Sequence, residues 1–231
     1  MAKAKPLPKA FEEADPLDVF IGALRAVVDY ATPSWSQQNH LFDVVRSYTR
    51  TTPLLSEQVA KIEPRWRQTR IVTIEPKYPI YLPPLEADTS FMPLLICSWD
   101  FREGGQDPDQ RSLRLKMVRE WSPTDGDDER RVRIASVHLD SANPREWNYF
   151  HLQLTQRPTP HFAEIYGADA EWLPAELPRI PLPASSPSEL LLCLLVGLYG
   201  FQHGVVDAAL RAVVKRDPCA MMMRVVTTAN T

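Results

Sequence analysis

Glycine is scarce in this chain: 8 glycines in 231 residues, beside 22 prolines. Ordinary chains carry about 7% glycine and about 5% proline. So little glycine leaves little material for loops that cradle phosphates, and neither G-x-G-x-x-G nor G-x-x-x-x-G-K-[ST] occurs. G-x-S-x-G, H-E-x-x-H and C-x-x-C are missing as well. These absences count against P-loop nucleotide hydrolysis, dinucleotide redox chemistry, α/β-hydrolase chemistry and ordinary zinc sites. No cofactor and no metal is therefore expected.

Cysteine is nearly absent. Cys97, Cys193 and Cys219 form no paired framework, and the first two sit in the apolar runs LLICSW and LLLCLLV. Such thiols are small buried hydrophobes, which fits a reducing, cytoplasmic setting. No charge sign dominates: 26 Lys and Arg face 29 Asp and Glu, for a net charge of −3. A chain devoted to coating nucleic acid would be basic, although a local patch stays open. Long apolar runs are missing too. The most apolar stretch, residues 190–201, falls short of the roughly 20 residues that span a bilayer. The opening MAKAKPLPKAFEEADP lacks the apolar core of a secretory signal. No membrane is expected among the partners.

What is present reads as helices, then strands, then helices. Residues 1–14 form a lead-in of alternating Lys and Pro. Asp15-Pro16 is an N-cap followed by proline at the first helical position. Val19, Phe20, Ala23, Leu24, Val27 and Val28 follow at helical spacing and predict a helix over 16–31. Ser34 predicts the start of a second helix carrying Leu41, Val44, Val45 and Tyr48. Ser56 and Glu57 predict a short third one through Ile62, stopped by Pro64.

The period then changes to two. Strands are predicted at 70–75, 91–101, 112–121, 131–140 and 147–156. The second of these is apolar on both parities, as in a central strand, with Pro93 near its start. The last four, joined by polar turns, predict an antiparallel meander. Leu113, Leu115 and Met117 share its apolar face. A strap rich in proline covers 157–187, and PRIPLP within it is expected to lie pinned along the surface. Ser186-Pro187-Ser188-Glu189 is a capping box that opens a buried helix, and a second helix runs over 205–216. Residues 217–231 read as a tail. The fold class is α+β: a single domain over 15–216, with an antiparallel sheet of four to five strands packed on one face by N-terminal and C-terminal helices. Its helices span 15–63 and 187–216, and its sheet spans 70–156.

Three surfaces carry the chemistry that can be read. Asp100, Asp140 and Arg102 end their predicted strands. With His151 on a neighbouring strand they could polarise water and stabilise an anionic transition state, as nuclease chemistry requires. The plainer assignment of strand-end Asp and Arg is to cap turns. The polar sheet face offers Arg114, Lys116, Arg131 and Arg133 with Tyr149, His151 and Gln153, a basic and stacking surface suited to nucleic acid or protein. Parity sets His138 and His151 apart if Val132 and Ile134 face the core. The strap offers a third surface, since extended proline-rich segments fit aromatic grooves at low entropic cost.

The succession WNYFHLQL, PRIPLP, SPSELL over residues 147–191 resembles a pattern of uncharacterised bacterial proteins from mobile-element and phage-defence neighbourhoods. The resemblance implies a bacterial origin and an accessory role. The expected function is a non-catalytic accessory protein that binds another protein or a nucleic acid. The alternative is a nuclease-like hydrolase built on Asp100 or Asp140 with His151.

Overall fold

The computed structural model describes residues 14–37, 50–85, 91–102, 111–120, 132–140, 151–155, 180–181, 184 and 186–217. The predicted lead-in before residue 14, the tail after 217 and most of the strap lie outside these residues. So do positions 38–49 of the predicted second helix.

Helix α1 (Pro16–Gln37) starts where the cap pair places it. The Asp15 carboxylate accepts from the Leu17 amide at 3.1 Å, and its carbonyl accepts from Val19. The helix continues through Pro33 instead of ending at 31. Proline removes one helical donor there, but Val27, Val28 and Ala31 are completely buried, so packing holds the turn. Helix α2 (Ser56–Thr69) likewise runs through Pro64. The carbonyl that loses its partner belongs to Ala60, an exposed residue, and water can satisfy it. Trp66, two residues past Pro64, is 5% exposed and anchors the second half. Gln58 caps the start by accepting from the Leu55 amide. Arg70 ends the helix in the left-handed region, at φ 55. Its guanidinium then makes two 2.9 Å bonds to the Asp15 carboxylate, tying the end of α2 to the start of α1.

The sheet is antiparallel throughout. Strands β3 (Phe91–Asp100), β4 (Arg111–Glu120), β5 (Val132–Asp140) and β6 (His151–Thr155) form the predicted meander in chain order. Short strands extend both edges. β1 (Ile71–Ile74) and β2 (Ile80–Tyr81) lie along β3, and β7 (Ile180–Pro181) lies along β6. β1 and β2 are one edge interrupted by a bulge: Ile74 pairs with Cys97, but Ile80 pairs with Leu95. Pro76 and Pro79 stand in that bulge, where no ladder donor is needed. Pro93 is harmless for a related reason. Its carbonyl accepts from Leu82, so its missing donor faces the β2 edge and not β4.

Helices α3 (Pro187–Tyr199) and α4 (Gly204–Arg216) complete the cover. Ser186 accepts from the Glu189 amide at 3.2 Å, the predicted cap, and Gly200 at φ 75 closes α3. α1 packs against α2, α3 and α4. The core joins Phe20, Leu24 and Val28 of α1 to Leu95 and Trp99 of β3, Leu113 and Leu115 of β4, and Leu191 and Leu195 of α3. The α+β class and the helix-covered apolar face are as the sequence predicts.

The second face differs from expectation near β3. Tyr81, Leu94 and Met92 are at most 1% exposed and Ile96 is 5% exposed, so this part of the face is buried and not solvated.

Two stability effects follow from these helices. Gly197 is an exposed residue inside α3, and an added Cβ there meets nothing within 4 Å. Gly197→Ala should raise stability by about 0.5–1 kcal/mol through helix propensity, seen as a higher urea midpoint at unchanged slope. His203 caps α4, with Nδ1 accepting from the Val205 amide at 3.2 Å. Its ring stacks on Tyr199 at 4.6 Å, and burial lowers its pKa below the ordinary 6.5. The unfolded chain thus takes up this proton at a higher pH than the folded one. The contribution of His203 is complete above about pH 6.5 and declines as pH falls through the lower folded value. Denaturant midpoints between pH 8 and 5 should show that slope, and His203→Asn should abolish it while keeping a capping side chain.

Candidate functional site

The strand register decides which predicted site residues meet. Ser98, Ser112, Asp140, His151 and Pro181 occupy one cross-strand row. The next row holds Ile96, Arg114, His138 and Gln153, and the one after it Leu94, Lys116, Ser136 and Thr155. Asp140 and His151 are direct partners across β5 and β6. Asp100 is not with them, because β3 and β6 are three strands apart, about 14 Å at ordinary spacing. Its side chain is 1% exposed and its carboxylate is engaged locally. It accepts from the Arg102 amide at 2.9 Å and from Arg102 Nη2 at 2.7 Å, the turn-capping geometry of a strand-end aspartate.

Arg114, Lys116, His151 and Gln153 share one sheet face by register. Arg133 does not join them: it pairs with Arg119, on the parity of Leu113 and Leu115. His138 lies on the face of His151, contrary to the parity reasoning from sequence. The period of two fixes which residues alternate but not which set faces the helices, and the ladder assigns Ala135, Val137 and Leu139 to that side. Arg131 and Tyr149 lie outside the described residues. The basic face is also less open than expected, since Ser112 is 2% exposed and Arg114 is only partly exposed. Of the proline strap, Ile180 and Pro181 are described, and they pair with β6 as an edge strand. Among the described residues no three His, Cys, Asp or Glu side chains converge as a metal site would need. Cys97 is fully buried, which raises its thiol pKa far above the ordinary value and keeps it neutral.

The concave feature lies elsewhere. A cleft of about 610 Å³ separates α2 from β1 and the bulge that follows it, a size ordinary for ligand sites. Leu54, Ile62, Trp66, Ile71 and Ile74 make its apolar lining, and Lys61, Arg65, Glu75 and Tyr78 line it with polar groups. The two cations belong to this side of α2 because Glu63, between them in sequence, is held by Arg25 and Arg67. Tyr78 is 39% exposed, with the Lys77 ammonium 5.6 Å from its ring centre.

One wall of the cleft is β1, an edge strand with a partner on one side only among the described residues. The Phe101 amide donates to the Arg70 carbonyl at 2.8 Å, so Val72 and Ile74 turn their backbone groups toward β3. Ile71 and Thr73 therefore turn theirs outward. The Thr69 hydroxyl sits over Ile71, 3.3 Å from its nitrogen. Among the described residues none hydrogen-bonds the outward N–H and C=O of Thr73. Further along the same edge, Leu54 donates to the Pro79 carbonyl and Thr52 to that of Lys77, so residues 50–55 cover the bulge before β2.

Sequence reasoning missed this cleft because it ended α2 at Ile62. A usable signal existed: Gln58, Lys61, Ile62, Arg65, Trp66 and Thr69 recur at helical spacing straight across Pro64.

Comparison with protein-family models, with curated proteins and with solved structures finds no match. Among the described residues no helix is long and apolar enough to cross a membrane.

Proposed function

We propose that this chain is a non-catalytic accessory protein that binds a partner protein in the cleft between α2 and β1. The observation that carries this reading is the open edge at Thr73, set against an apolar lining with two cations facing it. Exposed strand edges are ordinarily covered, charged or interrupted by proline. The opposite edge of this sheet is closed in that way by β7 with its Pro181. Among the described residues, none covers the outer edge of β1, which lies beside a concave surface. The bacterial resemblance of residues 147–191 agrees with an accessory role and supplies no further detail.

The test is a photo-crosslinking amino acid at position 78, on the cleft wall, in the tagged full-length chain expressed in its native cells. A single adduct of defined mass, recovered in stoichiometric amount, is the expected result. Recovery of the protein alone at every salt concentration would overturn the reading.

The hydrolase alternative has one observation in its favour, the cross-strand pairing of Asp140 with His151. It requires a nuclease activity that Asp140→Asn and His151→Ala both abolish without lowering the unfolding midpoint.

A further inference from the structure

Resting on the partner-binding reading, we infer that the cleft takes an extended peptide segment bearing acidic side chains at alternate positions, which adds to β1 as a new edge strand. Backbone polarity makes the first part of the case. Thr73 offers an outward N–H and C=O at the cleft wall, the pair of groups that an incoming strand bonds. Ile71 offers a second such pair once the Thr69 hydroxyl, at 3.3 and 3.5 Å, is displaced. A helix or a folded surface would present no complementary row of backbone donors and acceptors.

Charge and spacing make the second part. Lys61 and Arg65 are exposed and stand four residues apart on α2, about 6 Å along the helix axis. Alternate residues of a strand are about 6.6 Å apart and point the same way. Two carboxylates on one side of an extended segment therefore match the two cations. Glu75 lines the cleft from the bulge end of β1 and disfavours acidic residues beyond that pair. The side chains between the carboxylates point to the other side of the segment, away from Lys61 and Arg65. The commitment is thus to an acidic, strand-forming peptide: Lys61 and Arg65 disfavour a basic peptide, and a nucleic acid has no alternating row of backbone donors and acceptors to pair with Thr73.

The probes are three blocked hexapeptides: EVEVEV, its counterpart KVKVKV, and EVEVEV carrying an N-methyl group on the central valine. Binding to the full chain is followed by the backbone amide signals of Ile71 and Thr73. EVEVEV should shift both signals and slow their exchange with water. Lys61→Glu/Arg65→Glu should weaken it tenfold or more, as should the N-methyl group. Lys215→Glu, an exposed change on α4, should leave it unaltered and controls for negative charge added away from the cleft. Equal binding of KVKVKV, or binding of EVEVEV that leaves Thr73 unshifted, would overturn the inference. So would failure of EVEVEV to bind while the position-78 crosslink still captures a partner, and in that case the partner-binding reading survives. Loss of both would remove the two together.

Discussion

Leu94→Lys is expected to cost at least about 3 kcal/mol and to leave the chain largely unfolded under conditions where the parent is folded. Leu94 is 0% exposed, on the sheet face turned away from the helices, in a row with Lys116 and Ser136. A sheet with one solvated face would accept lysine there. Here the ammonium would have to enter a region shared with Tyr81, Met92 and Ile96, all buried. Leu94→Ala should cost about 2–4 kcal/mol through lost contacts and a residual cavity. Thr73→Lys, on the same face by register but exposed, should stay within about 0.5 kcal/mol. Urea unfolding of the three variants checks the ordering. A Leu94→Lys variant as stable as the parent would mean that this face is open.

The second large effect lies at the same face. The Tyr81 and Thr51 hydroxyls hydrogen-bond to each other, with both residues at most 1% exposed. This bond ties residues 50–55 to the edge that ends the cleft. Tyr81→Phe should cost about 1–3 kcal/mol, because it removes a buried hydrogen bond to the Thr51 hydroxyl and a longer one to the Thr51 carbonyl. Thr51→Val should cost a similar amount. The double variant should cost clearly less than the two singles combined, since the bond between the two hydroxyls is lost in each single and can be lost only once. Strict additivity in the cycle would mean that the two hydroxyls do not act on each other.

Much of the fold is legible in local chemistry. Asp15-Pro16 and Ser186-Pro187 mark helix starts because a side-chain oxygen and a missing donor both suit that position, and the structure uses both. Alternation in β4 and the short apolar run of β3 mark strands, and the parity of Leu113 and Leu115 marks the helix-covered side. Helix ends at proline were less legible. Pro33 and Pro64 are local stop signals, but the buried residues around them recover more than one lost hydrogen bond costs. The candidate site suffered most from this. Arg65, Trp66 and Thr69 come to the cleft only because α2 continues past Pro64, and the opposing wall comes from a strand whose free side depends on which neighbour it pairs with.

From its residues alone this chain determined its helix caps, its periods and the order of its elements, because each of these depends on atoms within a few residues of one another. Only the tertiary structure decided which parity of β5 lies on the helix-covered face, and that among the described residues nothing pairs with the outer edge at Thr73. An alternating strand reads the same when turned over, and an edge is defined by what does not pair with it, so these properties belong to the packing and not to any segment.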